Sequence, residues 1–209
     1  MKKQLDLRGL TCPEPVLKTK KVVDQADVKE VEALVDSEVS VQNLARLARS
    51  QNLHFQSSRE NGHHKVLISK DQTGTVQTQS ETAAAATRDG AGGTIIFISK
   101  DSFGQGNSAS PEKDHDFSLN LLNVFLQTVH QSGHEVRAVL LANSGVKLMD
   151  PQSPHQQVLS DLARGGVEVL ACGLCLDYYE LKEKVKTEQI TNMFAICEYL
   201  FAADKVLSP

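Results

Sequence analysis

The stretch DQTGTVQTQSETAAAATRDGAGG, residues 71 to 93, constrains the fold more than any other feature. It is rich in small and polar residues and holds no large aliphatic side chain except Val76. Such a run has little to bury, so any core must form on either side of it. The alanine run 83–86 suits a short helix, but Gly90, Gly92 and Gly93 favour a flexible linker. With 40% hydrophobic and 23% charged residues over 209 positions, the flanks carry enough apolar side chain for packed cores. The expected organisation is a domain at 1–70, a linker at 71–93 and a second domain at 94–209.

Each flank shows its own periodicity. In the first, KQLDLRG reads as an edge strand, and Val16, Thr19, Lys20, Val23 and Ala26 fall at helical spacing. VEALVD reads as a strand and EVSVQNLARLARSQN as a second helix, with Val41, Leu44, Ala45, Leu47 and Ala48 on one face. LHFQSS and HHKVLISK then form a hairpin about Asn61-Gly62. The order is βαβαββ, a two-layer α/β sandwich. In the second flank TIIFIS is an apolar run suited to a parallel sheet buried on both faces. Helices are expected at FSLNLLNVFLQTVHQ, HQQVLSDLARGG, LDYYELKEKV and TNMFAICEYLFAAD, and strands at EVRAVLLAN and VEVLAC. That alternation predicts a layered α/β domain with a mostly parallel sheet, whose ligands favour the carboxyl ends of strands.

Charge and targeting narrow the setting. Residues 1–70 carry 12 Lys+Arg against 9 Asp+Glu, net +3, and the remainder 10 against 17, net −7. The basic first domain lacks the aromatic interleaving of a nucleic-acid surface, so no direct nucleic-acid binding is expected. MKKQLDLRGL lacks the apolar run of a secretory signal, and no stretch is long and apolar enough to span a bilayer. A cytoplasmic setting without a membrane follows as the expectation, with reduced thiols at Cys12, Cys172, Cys175 and Cys197.

RGLTCPEPVLKTKK places Cys12 between a strand and a helix with two prolines behind it. Proline loses no hydrogen bond in a helix's first turn. With Cys12 as N-cap, Pro13 and Pro15 take the first and third helical positions, and the sulfur sits at the positive end of the helix, with Arg8, Lys18 or Lys20 within reach. The rival frame caps with Thr11 and uses Glu14 as its capping-box partner, which puts Pro15 where a donor is normally needed. The plain alternative for Cys12 is a small buried hydrophobe.

VEVLACGLCLDYY sets Cys172 at a strand end and Cys175 at a helix start. A Cys-x-x-Cys pair shuttles between dithiol and disulfide, or resolves a persulfide when one thiolate attacks sulfur bound to the other. Structural zinc needs four ligands, and the histidines here are unpaired, so no metal is expected. SFGQGN (102–107) has two glycines after a strand but no Gly-Lys-Ser/Thr ending, so a plain turn is favoured over nucleotide binding. In NSGVK (143–147), Asn143 and Lys147 are placed to steady a sulfur anion, or form a plain turn.

LDLRGLTCPEPVLKTKK closely resembles the signature of TusA/SirA-like sulfur carriers over residues 4–70. The resemblance implies a βαβαββ fold and a persulfide on Cys12, with Asp6, Arg8, Gly9, Pro13 and Pro15 fitting the surrounding motif. Asn52-Leu53-His54 departs from the Gly-His that many relatives place there. CGLCLDYY, LLANSGVKL and FISKDSFGQGN resemble a DsrE-like domain, in which Cys172 is the closer positional match and Cys175 its assistant. The fusion resembles the YedF family, which implies selenium metabolism. The resulting expectation is a sulfur or selenium carrier, rather than a multiple-turnover enzyme, using Cys12, Cys172 and Cys175. Asp6, Arg8, Gly9, Pro13, Glu14, Pro15, Asn143 and Lys147 would support them. Its partners would be a cysteine desulfurase or other donor and an acceptor protein, with a homo-oligomer through the second domain and no cofactor beyond the transient persulfide or perselenide. The alternative is a regulatory module that binds a small ligand or partner, with structural or redox-sensing cysteines.

Overall fold

The computed structural model describes residues 1–60, 62–70, 92–104 and 110–209. Most of the expected linker, Asn61 of the hairpin turn and the Gln105-Gly106-Asn107 part of SFGQGN lie outside them. The described residues fall into two compact units, one of residues 1–70 with Thr191–Glu198, the other of residues 92–190 with Tyr199–Pro209.

The first unit follows the expected βαβαββ order: β1 (Lys2–Asp6), α1 (Glu14–Val23), β2 (Glu30–Val35), α2 (Glu38–Ser50), β3 (His54–Glu60) and β4 (His63–Ser69). The sheet order is β1-β2-β4-β3, so β1 is an edge strand. β1 runs parallel to β2, and β4 is antiparallel to both neighbours. Alternation in β2 buries Val31, Ala33 and Val35, which meet Val16 and Val23 of α1 and Val41, Leu44, Ala45, Leu47 and Ala48 of α2 in one core. Ser37 starts α2 by accepting the Ser40 N–H through its hydroxyl (3.2 Å), an N-cap contact of about 1 kcal/mol.

In the second unit, β5 (Thr94–Ile98), α3 (Pro111–Gln131), β6 (Val136–Leu141), α4 (Gln156–Arg164), β7 (Glu168–Cys172) and α5 (Gly173–Tyr178) succeed one another, and β8 (Ile190–Thr191), α6 (Met193–Ala202) and β9 (Lys205–Leu207) follow, with Thr191–Glu198 counted in the first unit. The sheet order is β8-β7-β6-β5-β9, with β9, β5, β6 and β7 parallel. Ala138, Val139, Leu140 and Leu141 of β6 are all fully buried, as a central strand covered on both faces requires. The register pairs Ile98 with Leu141 and Leu141 with Ala171, so three strands end level. The segments after them, carrying Asp101, Asn143 and Cys172, therefore emerge along one sheet edge.

Several element boundaries differ from expectation. α3 begins at Pro111 rather than at Phe117, started by Ser110-Pro111 with Glu112 and Asp114 in its first turn. NSGVK forms neither strand nor plain turn but opens a 3-10 helix over Asn143–Met149. The helix expected from LDYYELKEKV begins instead at Gly173 and stops at Tyr178, because Glu180 turns left-handed (φ 57°) and the Leu181 N–H returns to the Leu176 carbonyl at 2.8 Å. Among the described residues no helix is long and apolar enough to cross a membrane.

Candidate functional site

The loop to Cys12 is tied down residue by residue. Buried Leu7 donates its N–H to the Leu34 carbonyl (2.9 Å), extending the β1–β2 ladder by one step. The chain then turns, with the Leu10 N–H on the Leu7 carbonyl at 3.4 Å and Gly9 third of four residues at φ +70°, a value that favours glycine. The Gly9 N–H donates to Asp36 Oδ2 at 2.5 Å, and His63 Nδ1 lies 3.2 Å from Asp36 Oδ1. Arg8 grips Asp6 with both Nε (2.8 Å) and a terminal nitrogen (2.6 Å). That fork holds the Asp6 carboxyl down to about 2, aided by the Arg8 backbone N–H. Asp36, which follows β2, is a support that sequence reasoning missed.

Cys12 follows this turn and is partly exposed. α1 starts one residue later than a Cys12 cap requires. The Val16 and Leu17 N–H groups both donate to the Pro13 carbonyl (3.1 and 3.2 Å), which makes Pro13 the cap, Glu14 the first helical residue and Pro15 the second. Both prolines still occupy positions that need no intrahelical donor. The Glu14 N–H goes to the Thr11 carbonyl at 2.9 Å. The three nearby cations each hold a carboxylate: Arg8 on Asp6, Lys18 on Glu14 at 3.3 Å, and Lys20 on Asp24 at 2.9 Å.

The second site gathers Cys172, Cys175, Asn143 and Lys147. Cys172 ends β7 and caps α5, while Cys175 is the third residue of that helix, so both thiols share one turn. Cys172 is 1% exposed and Cys175 partly exposed. Burial pushes the Cys172 thiol up from its ordinary value, the backbone N–H groups of Cys175 and Leu174 opposing this and the neighbouring Cys175 adding to it.

Asn143 contributes its backbone rather than its side chain to sulfur. At φ 46° its N–H points at Cys175 Sγ, 3.1 Å away. Its side-chain oxygen accepts the Tyr179 hydroxyl at 3.3 Å. Lys147 Nζ stands 4.9 Å from the centre of the Tyr179 ring and 3.3 Å from Asp101 Oδ2, while Ser144 donates to Asp101 Oδ1 at 3.0 Å. Lys147 thus reaches an aromatic face and a carboxylate. Beyond it opens a cleft of about 260 Å³, lined by Asp101, Lys147, Asp150, Gln152, Ser153 and His155 among others. Among the described residues no group of three or more His, Cys, Asp or Glu is placed to hold a metal.

A family model described as sulfurtransferase TusA matches residues 3–70. Residues 3–70 are therefore a TusA-like sulfurtransferase domain. A SirA-like protein of Desulfitobacterium hafniense is 30% identical, the match covering 32% of this chain and 95% of that one, at a TM-score of 0.30. The ychN protein of E. coli is 19% identical over 56% of this chain and 99% of its own, at a TM-score of 0.38. A conserved protein of unknown function from Bacteroides thetaiotaomicron is 19% identical over 61% of this chain and 100% of its own, at 0.40. The search of curated proteins found no match.

The match takes in Cys12 with Asp6, Arg8, Gly9, Pro13, Glu14 and Pro15, and stops short of the second cysteine site. Within the TusA domain the Asp6–Arg8 fork gives a direct prediction. In an NMR titration Asp6 should show a midpoint of about 2. Arg8→Ala should return it toward the ordinary carboxylate value of about 4. Because the folded-state value is depressed, the pair supports the loop above about pH 4 and releases it as pH falls toward 2.

Proposed function

We propose that this chain carries sulfur or selenium as a persulfide or perselenide on Cys12 and on the Cys172/Cys175 site, in selenium metabolism. The TusA match supports the carrier role of the first domain. The observation that most supports the second thiol site is the Asn143 N–H aimed at Cys175 Sγ (3.1 Å), with a second thiol, Cys172, in the same turn. A carrier thiol must be reachable, and Cys12 and Cys175 are both partly exposed. The donor is a cysteine desulfurase or similar persulfide source, and the acceptor is a second protein. The setting is cytoplasmic, the organisation is that of the YedF family with a DsrE-like second domain, and that domain forms a homo-oligomer.

Incubation with a cysteine desulfurase and cysteine, followed by intact-mass spectrometry, tests this. The expected product carries about 32 Da per sulfur on Cys12, and about 79 Da when selenium is supplied. Cys12→Ser should remove the adduct from the first domain entirely. Loading of that domain at the wild-type level in Cys12→Ser would end the carrier reading for Cys12.

A further inference from the structure

The two thiols of the second unit are unequal in reach and share one strand-to-helix turn. A donor arriving from solvent or on a partner meets Cys175, because Cys172 is 1% exposed behind it. Cys172 in turn caps the helix whose third residue is Cys175, so the two thiols share one turn. A persulfide on Cys175 is therefore formed against an intramolecular nucleophile.

Resting on the reading that this pair handles sulfur or selenium, we propose that Cys175 accepts the sulfane atom and buried Cys172 resolves it, so that the second unit discharges its cargo as hydrosulfide or hydroselenide. In the first step the Cys175 thiolate attacks the outer sulfur of a persulfide donor. A Cys175 S–S bond forms, the donor's S–S bond breaks, and the donor leaves as a thiolate. In the second step the Cys172 thiolate attacks Cys175 Sγ. The Sγ–Sγ bond forms, the bond to the outer sulfur breaks, and the electron pair leaves on hydrosulfide. The sulfane atom gains two electrons, the two cysteines lose them, and the Cys172 proton passes to hydrosulfide or solvent. A dithiol reductant returns the disulfide to two thiols by ordinary exchange. The Asn143 N–H holds Cys175 Sγ in place through both attacks.

The site is thus a reductive outlet, distinct in chemistry from a carrier. The assignment also reverses the order that the DsrE-like resemblance implies: Cys175 receives and Cys172 assists.

The test uses the full chain in a Cys12→Ser background, reduced and freed of reductant, with one equivalent of glutathione persulfide. Hydrosulfide is measured with a sulfide-specific probe, and the Cys172/Cys175 peptide is weighed. The expected outcome is hydrosulfide release with a peptide lighter by about 2 Da, the mark of a disulfide. Adding Cys172→Ser or Cys172→Ala should leave about 32 Da on Cys175 and slow release at least about tenfold. Near-UV circular dichroism matching the parent confirms that these variants keep their fold. Cys175→Ser should neither load nor release. Sulfur found first on Cys172, or a persulfide that persists on Cys175 with Cys172 intact, overturns this inference and leaves chalcogen handling standing. No adduct and no release in any variant overturns chalcogen handling at the second site itself.

Discussion

Gly145→Ala is expected to disable the second cysteine site without touching a thiol. A Cβ built at Gly145 would lie 2.3 Å from the Ile98 carbonyl oxygen and 3.0 Å from its carbon. Real side-chain carbons do not approach backbone that closely, and Ile98 is fixed in the sheet by its pairing with Leu141. The Ala142 N–H on that same carbonyl (3.0 Å) leaves little slack. The segment over Asn143–Met149 must therefore move outward, carrying the Asn143 N–H away from Cys175. Overpacking of this kind costs about 1–3 kcal/mol, which lowers the melting temperature of a unit this size by roughly 5–15 °C. Loading of Cys175 should fall with it. Gly165→Ala is the control: its φ is −75° and its nearest neighbour, the Leu162 carbonyl oxygen, is 3.3 Å away. It should cost less than about 1 kcal/mol and leave loading intact. Equal melting and loading in Gly145→Ala and wild type would mean that the close approach is not rigid.

What the sequence made legible follows the range of the interactions involved. The stripe of Val41, Leu44, Ala45, Leu47 and Ala48 predicts both α2 and its buried face, and all five side chains are buried there. The spacing of Cys172 and Cys175 likewise places both in one strand-to-helix turn. α1 starts one residue beyond a Cys12 cap because a Pro13-capped frame, weighed by neither sequence reading, also keeps both prolines off donor positions, and the Pro13 carbonyl accepting from Val16 and Leu17 fixes it. α5 was misplaced because its end is set by a left-handed Glu180, a residue with no turn signature of its own. β8 and β9, of two and three residues, are too short to show any period.

The parts of the site that stayed hidden are those that depend on register or on backbone direction. Nothing in LLANSGVKL announces that the useful group is the Asn143 N–H, since its aim depends on a positive φ and on two strands ending level. Asp101 joins Lys147 and Ser144 across a sequence gap of more than 40 residues, a meeting that only the parallel pairing of β5 and β6 determines. Tyr179, which no motif marks, links Asn143 to Lys147.

Phe55→Ala is expected to have the largest effect on stability. Phe55 is fully buried, and it pairs with Ile68, itself 2% exposed, across the β3–β4 hairpin. Truncating a core phenylalanine costs about 3–5 kcal/mol, through lost burial and the cavity left behind. A domain of this size has only about 4–10 kcal/mol of stability to lose. Most of its margin therefore disappears with one side chain. Hydrogen exchange should show β1 through β4 losing protection at 37 °C, and the Asp6–Arg8 turn, held in place by the Leu7 N–H on β2, should loosen with them. Cys12 would then alkylate at the rate of an unstructured thiol and lose its sulfur loading, because a carrier cysteine without its turn is only a thiol on a chain. Leu17→Ala, on the exposed side of α1 at 46% exposure, should cost less than about 1 kcal/mol and leave loading unchanged. If Phe55→Ala kept full protection and wild-type loading, the core would not be what positions Cys12, and the motif from Asp6 to Pro15 would have to hold the thiol by local contacts alone.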